Sequence, residues 1–314
     1  MYGISDENAN IENLRALSAT ASMNYEARIC EMREYIGETI ARLTEEYGTL
    51  DNIYELLSIL SDEELCFIGE THNEPLLVNE DRLRRFSESV YLTDRALIPE
   101  LILEALASVG LSATESDFLE EGVGSEIIAY VKNPLADEAY EVFASELSDP
   151  RAVYCDSFKE AIRAVADGRC GYCILPLEES GGVRLQSISE LLYKSDLKIN
   201  SVTPVFGFDG SADMKYALVS RGFRIDSDSE DDRYLEIRLP VDSEPSLDEL
   251  LRAARSLGHS TYRVNTLTAR EPGGEESYYT VVFRDGGGGF CGLLIYLTLF
   301  SDSYTAVGVY TNLE

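Results

Sequence analysis

Cys170-Gly171-Tyr172-Cys173 has the spacing of a thiol–disulfide exchange motif, whose chemistry needs a thiolate held at a helix N-terminus. Here the second cysteine runs straight into the apolar segment CILPL, so the expectation is a turn cysteine followed by a core cysteine. The run Gly286 to Gly289 has the backbone freedom to cradle a phosphate, but no Lys-Ser/Thr pair follows it and Asp285 stands beside it. A flexible loop is expected there. His72 and His259 have no Cys or His at ligand spacing, so neither a zinc site nor a histidine-based triad is expected. Asp226 to Asp232 concentrates acidic groups as a calcium loop does, yet lacks its central glycine and spacing, and reads as a solvated linker. Arg270, within LTAREP, carries a planar fork suited to the carboxylate of a bound amino acid, with a surface arginine in a hairpin turn as the equal alternative.

Three stretches of different pattern must position these residues. From Met23 to Tyr47, apolar residues at Tyr25, Ile29, Met32, Ile36, Ile40 and Leu43 mark one face of an amphipathic helix, and residues 50–60 and 83–106 continue in helical spacing. Residues 1–122 therefore form a mostly helical region. After Gly122 the pattern becomes β-rich runs separated by helices: strands at 126–131, 151–155 and 171–177, helices at 136–147 and 157–168 with Ser157 as cap, then a Leu-rich helix and the strand LKINSV. This alternation predicts an α/β lobe on a parallel sheet over 123–225. Over 233–314 the order is β-α-β-β-α-β, the ferredoxin-like split unit. The fold class expected is thus α+β multidomain.

Composition narrows the function. In 314 residues, 57 acidic against 26 basic side chains give a net charge of −31, a field that repels nucleic acid and anionic membranes. The helical first region has no lysine, which disfavours a DNA-binding helix-turn-helix. Six cysteines are too sparse for a disulfide framework. The start MYGISDENANIENL has neither a basic nor an apolar segment of a secretory signal, and no apolar run reaches membrane-spanning length, so a cytoplasmic location is expected. No metal and no cofactor are expected.

Residues 126–312 resemble a shortened prephenate dehydratase domain followed by an ACT-type regulatory domain. The resemblance is carried by DSFKEAIRAVADGRCGYCILPLEESGGVRLQSISELLYKSDLKI, which parallels the family's helix, its "GVVPIENS" strand and turn, and the following Leu-rich helix. In the C-terminal stretch LTAREP stands where the family has its "ESRP" turn. The resemblance implies a type II periplasmic-binding-protein lobe, and Glu178, Glu179, Ser180 and Lys215 as its catalytic surroundings if the chain is active. It also implies an effector site built from Ser246, Leu247, Arg270 and Pro272, taking an aromatic amino acid or a prephenate-like molecule, in a homodimer paired through the ACT-like sheet.

Three departures oppose catalysis. The family's Thr-Arg-Phe becomes Met214-Lys215-Tyr216, and a thioether cannot protonate a leaving hydroxyl. Its Glu-Asn-Ser becomes Glu178-Glu179-Ser180, which sets an extra carboxylate against a dianionic substrate. Only residues 199–213 separate Lys198 from Met214, whereas one βαβ unit takes roughly 30 residues or more, so the second lobe does not fit. The expectation is a non-catalytic relative acting as an amino-acid-sensing or interaction scaffold. The alternatives are an active prephenate dehydratase, converting prephenate to phenylpyruvate, and a purely structural interaction protein. Arg28, Arg33 and Arg42 resemble the arginine-bearing helix of chorismate mutase domains, but the lysine-free region favours a packing or oligomerisation helix.

Overall fold

A computed structural model describes most residues of 25–45, and residues 95–122, 124–179, 182–207, 214–225, 232–271, 274–301 and 303–313. The expectations for Arg28, Leu43, residues 50–60, His72, Ser180, Asp226–Asp231 and Pro272 lie outside the described residues, as does the side chain of Arg270. The chain divides into two compact units, Met1–Ala113 and Thr114–Glu314. In the first, described positions between 25 and 45 are helical and bury Met32, Ile36 and Ile40, the face their spacing predicts. A helix over 95–108 buries Ala96, Leu101, Ile102 and Leu106, and its Glu104 accepts from Arg33 Nε at 3.0 Å.

The second unit is built on one sheet. Its elements are β1 (Ile127–Tyr130), α1 (Pro134–Ser145), β2 (Arg151–Tyr154), α2 (Phe158–Ala166), β3 (Tyr172–Glu179), β4 (Val183–Arg184), α3 (Gln186–Ser195), β5 (Lys198–Val205), β6 (Met214–Ser220), β7 (Arg233–Pro240), α4 (Leu247–Ser256), β8 (Ser260–Glu271), β9 (Gly274–Arg284), α5 (Cys291–Phe300) and β10 (Thr305–Asn312). Strand order is β2-β1-β3-β6-β5-β10-β7-β9-β8, with the short β4 beside β3. Residues 123–225 and 233–314 therefore share a sheet through the parallel pairing of β5 with β10.

The expected parallel sheet over 123–225 is corrected to a mixed one. β1 pairs in parallel with β2 and β3, but β6 lies antiparallel between β3 and β5. Residues 206–213 suffice for a direct antiparallel return, while a parallel neighbour needs a crossover of a dozen residues or more. No second lobe is inserted between β5 and β6. In 233–314, β10, β7, β9 and β8 are antiparallel neighbours in the βαββαβ order. The β8–β9 pairing runs to Glu271↔Gly274.

One core cluster joins the two halves of the sheet: Ala161 and Val165 of α2 and Leu192 of α3 share it with Leu175, Leu177, Tyr234, Val282, Val307 and Tyr310. The face of β7 bearing Tyr234, Glu236 and Arg238 is thereby covered. All three are buried.

Candidate functional site

β3 carries the Glu178 side chain to a point where three strands bring cations. In register, Glu178 stands opposite Arg184 of β4 on one side and Lys215 of β6 on the other. From β8, Arg263 Nη1 donates to Glu178 Oε1, and Arg184 Nη1 lies 3.6 Å from the same oxygen. Arg184 then donates through Nη2 to Glu236 Oε1 at 2.6 Å, and Tyr310 donates its hydroxyl to Glu236 Oε2 at 3.3 Å. Glu178, Glu236 and Tyr310 are buried, while Arg184 and Arg263 keep 11% and 19% of their side chains exposed at the border of the network.

Buried charge persists only when answered by opposite charge and hydrogen bonds. Burial acts to lower the Arg184 pKa, but Glu236, Tyr310 and Glu178 together outweigh it and hold the guanidinium above its ordinary value. For Tyr310, burial first and Glu236 second push the phenol well above its usual range, so it stays a neutral donor. Glu178 Oε2 is buried without a hydrogen-bond partner.

The expected catalytic residues are thus only partly brought together. Glu178 and Lys215 face each other across β3 and β6, and Lys215 Nζ lies 5.9 Å from the centre of the Tyr262 ring. Glu179, the next residue on an alternating strand, is exposed. Met214 is half-buried against the cluster holding Tyr216, Val205 and Phe143. Among the expected effector residues, Ser246 is the cap of α4: its hydroxyl accepts from Glu249 N, while the Glu249 carboxylate accepts from Ser246 N at 2.8 Å. Leu247 is half-buried at the first turn of that helix.

Sequence reasoning missed Arg184, Glu236, Arg238, Arg263 and Tyr310. The available signal was charge at alternate positions of RYLEIRLP, which by itself reads as the wet face of a half-buried strand.

Other motifs weighed in the sequence have these surroundings in the fold. The backbone N–H groups of Gly287, Gly288 and Gly289 all donate to the Asp285 carboxylate, at 2.9, 3.2 and 3.1 Å to Oδ1, so the seat a phosphate would need is filled from within. Cys170 and Cys173 are both buried, and burial pushes both thiols up, against the low pKa that exchange chemistry requires. Among the described residues, no three His, Cys, Asp or Glu side chains converge to hold a metal, and no helix is long and apolar enough to cross a membrane.

No protein-family model matches the sequence, and no curated protein matches it. Among solved structures, the chain is similar to GqqA, described as a novel type of quorum-quenching acylase, at 20% identity over 60% of this chain and 96% of that one, with a TM-score of 0.44. It is similar to prephenate dehydratase from Streptococcus mutans at 16% identity over 60% of this chain and 99% of that one, TM-score 0.46. A third likeness is to prephenate dehydratase from Arthrobacter aurescens in complex with L-Phe, at 12% identity over 59% and 90% of the two chains, TM-score 0.43. Values this low describe a likeness of fold and establish no activity for this chain.

Proposed function

We propose that this chain is a prephenate-dehydratase-related protein that has lost the dehydratase reaction and serves as a scaffold, sensing a small molecule or docking a partner through an ACT-like C-terminal half. The commitment of Glu178 carries this proposal: its carboxylate is buried and held by Arg263 and Arg184. Its Oε1 is thereby engaged by arginines from two other strands. Met214, where the resemblance calls for a proton-donating threonine, supports the same conclusion because a thioether has no proton to give. The direct β5-to-β6 return supports it too, since no inserted lobe closes over the strand ends to exclude water.

For the effector site implied by Ser246, Leu247, Arg270 and Pro272, the engagement of Ser246 in its own capping box supports weak phenylalanine binding at most. Pairing of two copies through the β8 edge, where Tyr262 and Val264 are exposed, is the dimer this proposal includes. The test is formation of phenylpyruvate from prephenate by the purified full chain. The uncatalysed rate is expected, and saturable turnover would restore the enzyme in place of the scaffold.

A further inference from the structure

Between α3 and the strands β7, β8, β9 and β10 lies a cavity of about 170 Å³. Leu192, Leu267 and Val307 supply apolar wall, and Arg184, Glu236, Arg238 and Asn265 supply charge and polarity. Met214, Lys215 and Glu178 do not line it.

The charges of this wall do not cancel. Glu236 is answered by Arg184 at 2.6 Å. Arg238 is 7% exposed, and among the described residues no carboxylate lies within ion-pair range of it. What holds it is aromatic: its guanidinium carbon sits 4.4 Å from the centre of the Tyr193 ring and 6.0 Å from that of Tyr278. Tyr193 and Tyr278 are themselves tied by a hydroxyl–hydroxyl contact of 3.0 Å. A guanidinium lying against a ring keeps its in-plane N–H donors for another partner. Two donors in this wall are buried and unsatisfied, Arg238 Nε and Asn265 Nδ2.

Such a combination is costly unless something completes it. Buried charges are normally paired, and a buried donor left without an acceptor loses the hydrogen bond it made to water in the unfolded chain. Burial pulls the Arg238 pKa below its ordinary value, the direction expected of a cation short of a counter-ion. In a chain with a net charge of −31, carboxylates are abundant, yet among the described residues none forms an ion pair with this arginine, and Asp196 and Glu236 offset its burial only in part. An apolar cavity of about 150 Å³ accepts benzene, so the space here takes a body of that size.

We propose that this cavity is a binding site for a small organic monocarboxylate, whose carboxylate is held by the Arg238 fork with Asn265 Nδ2 beside it and whose apolar body lies against Leu192, Leu267 and Val307. The apolar wall selects an organic acid over an inorganic anion. The site is separate from the dehydratase question, because prephenate turnover and occupancy of this cavity are read by different assays on different residues.

The test is calorimetric titration of the full chain with benzoate, phosphate and benzylamine, repeated on four variants. Benzoate is expected to bind, with phosphate and benzylamine at least tenfold weaker. Arg238→Met should lower benzoate affinity at least tenfold while the unliganded protein melts at the same temperature or higher, because the variant removes an unanswered buried charge. A purely structural arginine would instead lower the melting temperature. Arg238→Lys should retain part of the affinity, and Asn265→Asp, which puts a carboxylate where the ligand's would sit, should lower it at least tenfold even if Arg238→Met does not fold. Arg252→Ala, on the exposed side of α4, should bind as the wild type does. No benzoate binding at millimolar concentration, affinity unchanged in folded Arg238→Met and Asn265→Asp, or phosphate preferred to benzoate would each overturn the assignment.

Discussion

Arg184 stands between Glu178 at 3.6 Å and Glu236 at 2.6 Å, with its side chain 11% exposed. Removing one member of a buried pair leaves the other unanswered, at a cost of about 3–5 kcal/mol. Arg184→Met is therefore expected to lower unfolding free energy by about that amount in a urea titration, in contrast to Arg238→Met on β7. A loss below about 0.5 kcal/mol, the scale of a surface substitution, would mean that the network is wet. A second residue acts through pH. His259 is 4% exposed, its Nδ1 lies 3.8 Å from Asp285 Oδ1 and has no hydrogen bond, and burial lowers its pKa against the pull of Asp285 and Glu115. The unfolded chain takes up this proton near pH 6.5 while the folded chain resists it, so stability falls as pH drops below about 6.5. His259→Phe should flatten that decline by up to about 1.4 kcal/mol per pH unit, seen as urea midpoints at pH 7.5 and 5.5 that differ less than in the wild type. Parallel pH curves for the two proteins would contradict it. At this scale the sequence is only partly legible. Glu178 could be singled out from its turn, but its partners Arg184 and Arg263 come from other strands, and local spacing carries no information about such pairings.

Among the elements, those with local signals are the legible ones. α2 begins on Ser157, the cap its sequence predicts, whereas α1 starts on Asn133, ahead of the expected 136, and Ser246, expected in an effector site, caps α4; β7 spans the whole of RYLEIRLP. β4 has two residues and no periodicity to find, and exists because β3 extends to Glu179 and offers it an edge. The join of β5 to β10 is likewise silent in the sequence, because it depends on a close approach at one position. A Cβ on Gly308 would lie 2.7 Å from Ile199 Cβ and 2.9 Å from Ile199 O, at a register shift in both pairings of β10. Gly308→Ala must push β10 from β5 and is expected to destabilise the protein by about 1–3 kcal/mol, the usual range for overpacking. Unchanged thermal and urea stability in that variant would show that the two strands are not pressed together there.

For the second unit as a whole, the continuous sheet explains why charged residues on β7 are buried. Neither half of the sequence, read alone, shows that α3 and β4 cover the face bearing Glu236 and Arg238; only the β5–β10 pairing brings them there. The sheet leaves β2 and β8 as its edges among the described residues. If two copies pair through β8, a charge in the exposed middle of that strand should separate them, and Val264→Lys is expected to weaken the dimer at least tenfold by sedimentation. A wild-type monomer, or a variant that dimerises equally well, would rule out pairing through β8. The proposed loss of the dehydratase reaction rests on the engaged Glu178 and the direct β5-to-β6 return as well as on Met214. Its most direct measurement is the rate of phenylpyruvate formation from prephenate by the full chain and by a Met214→Thr, Lys215→Arg double variant. Both are expected to match the uncatalysed rate, whereas saturable turnover in either would overturn the proposed loss of catalysis.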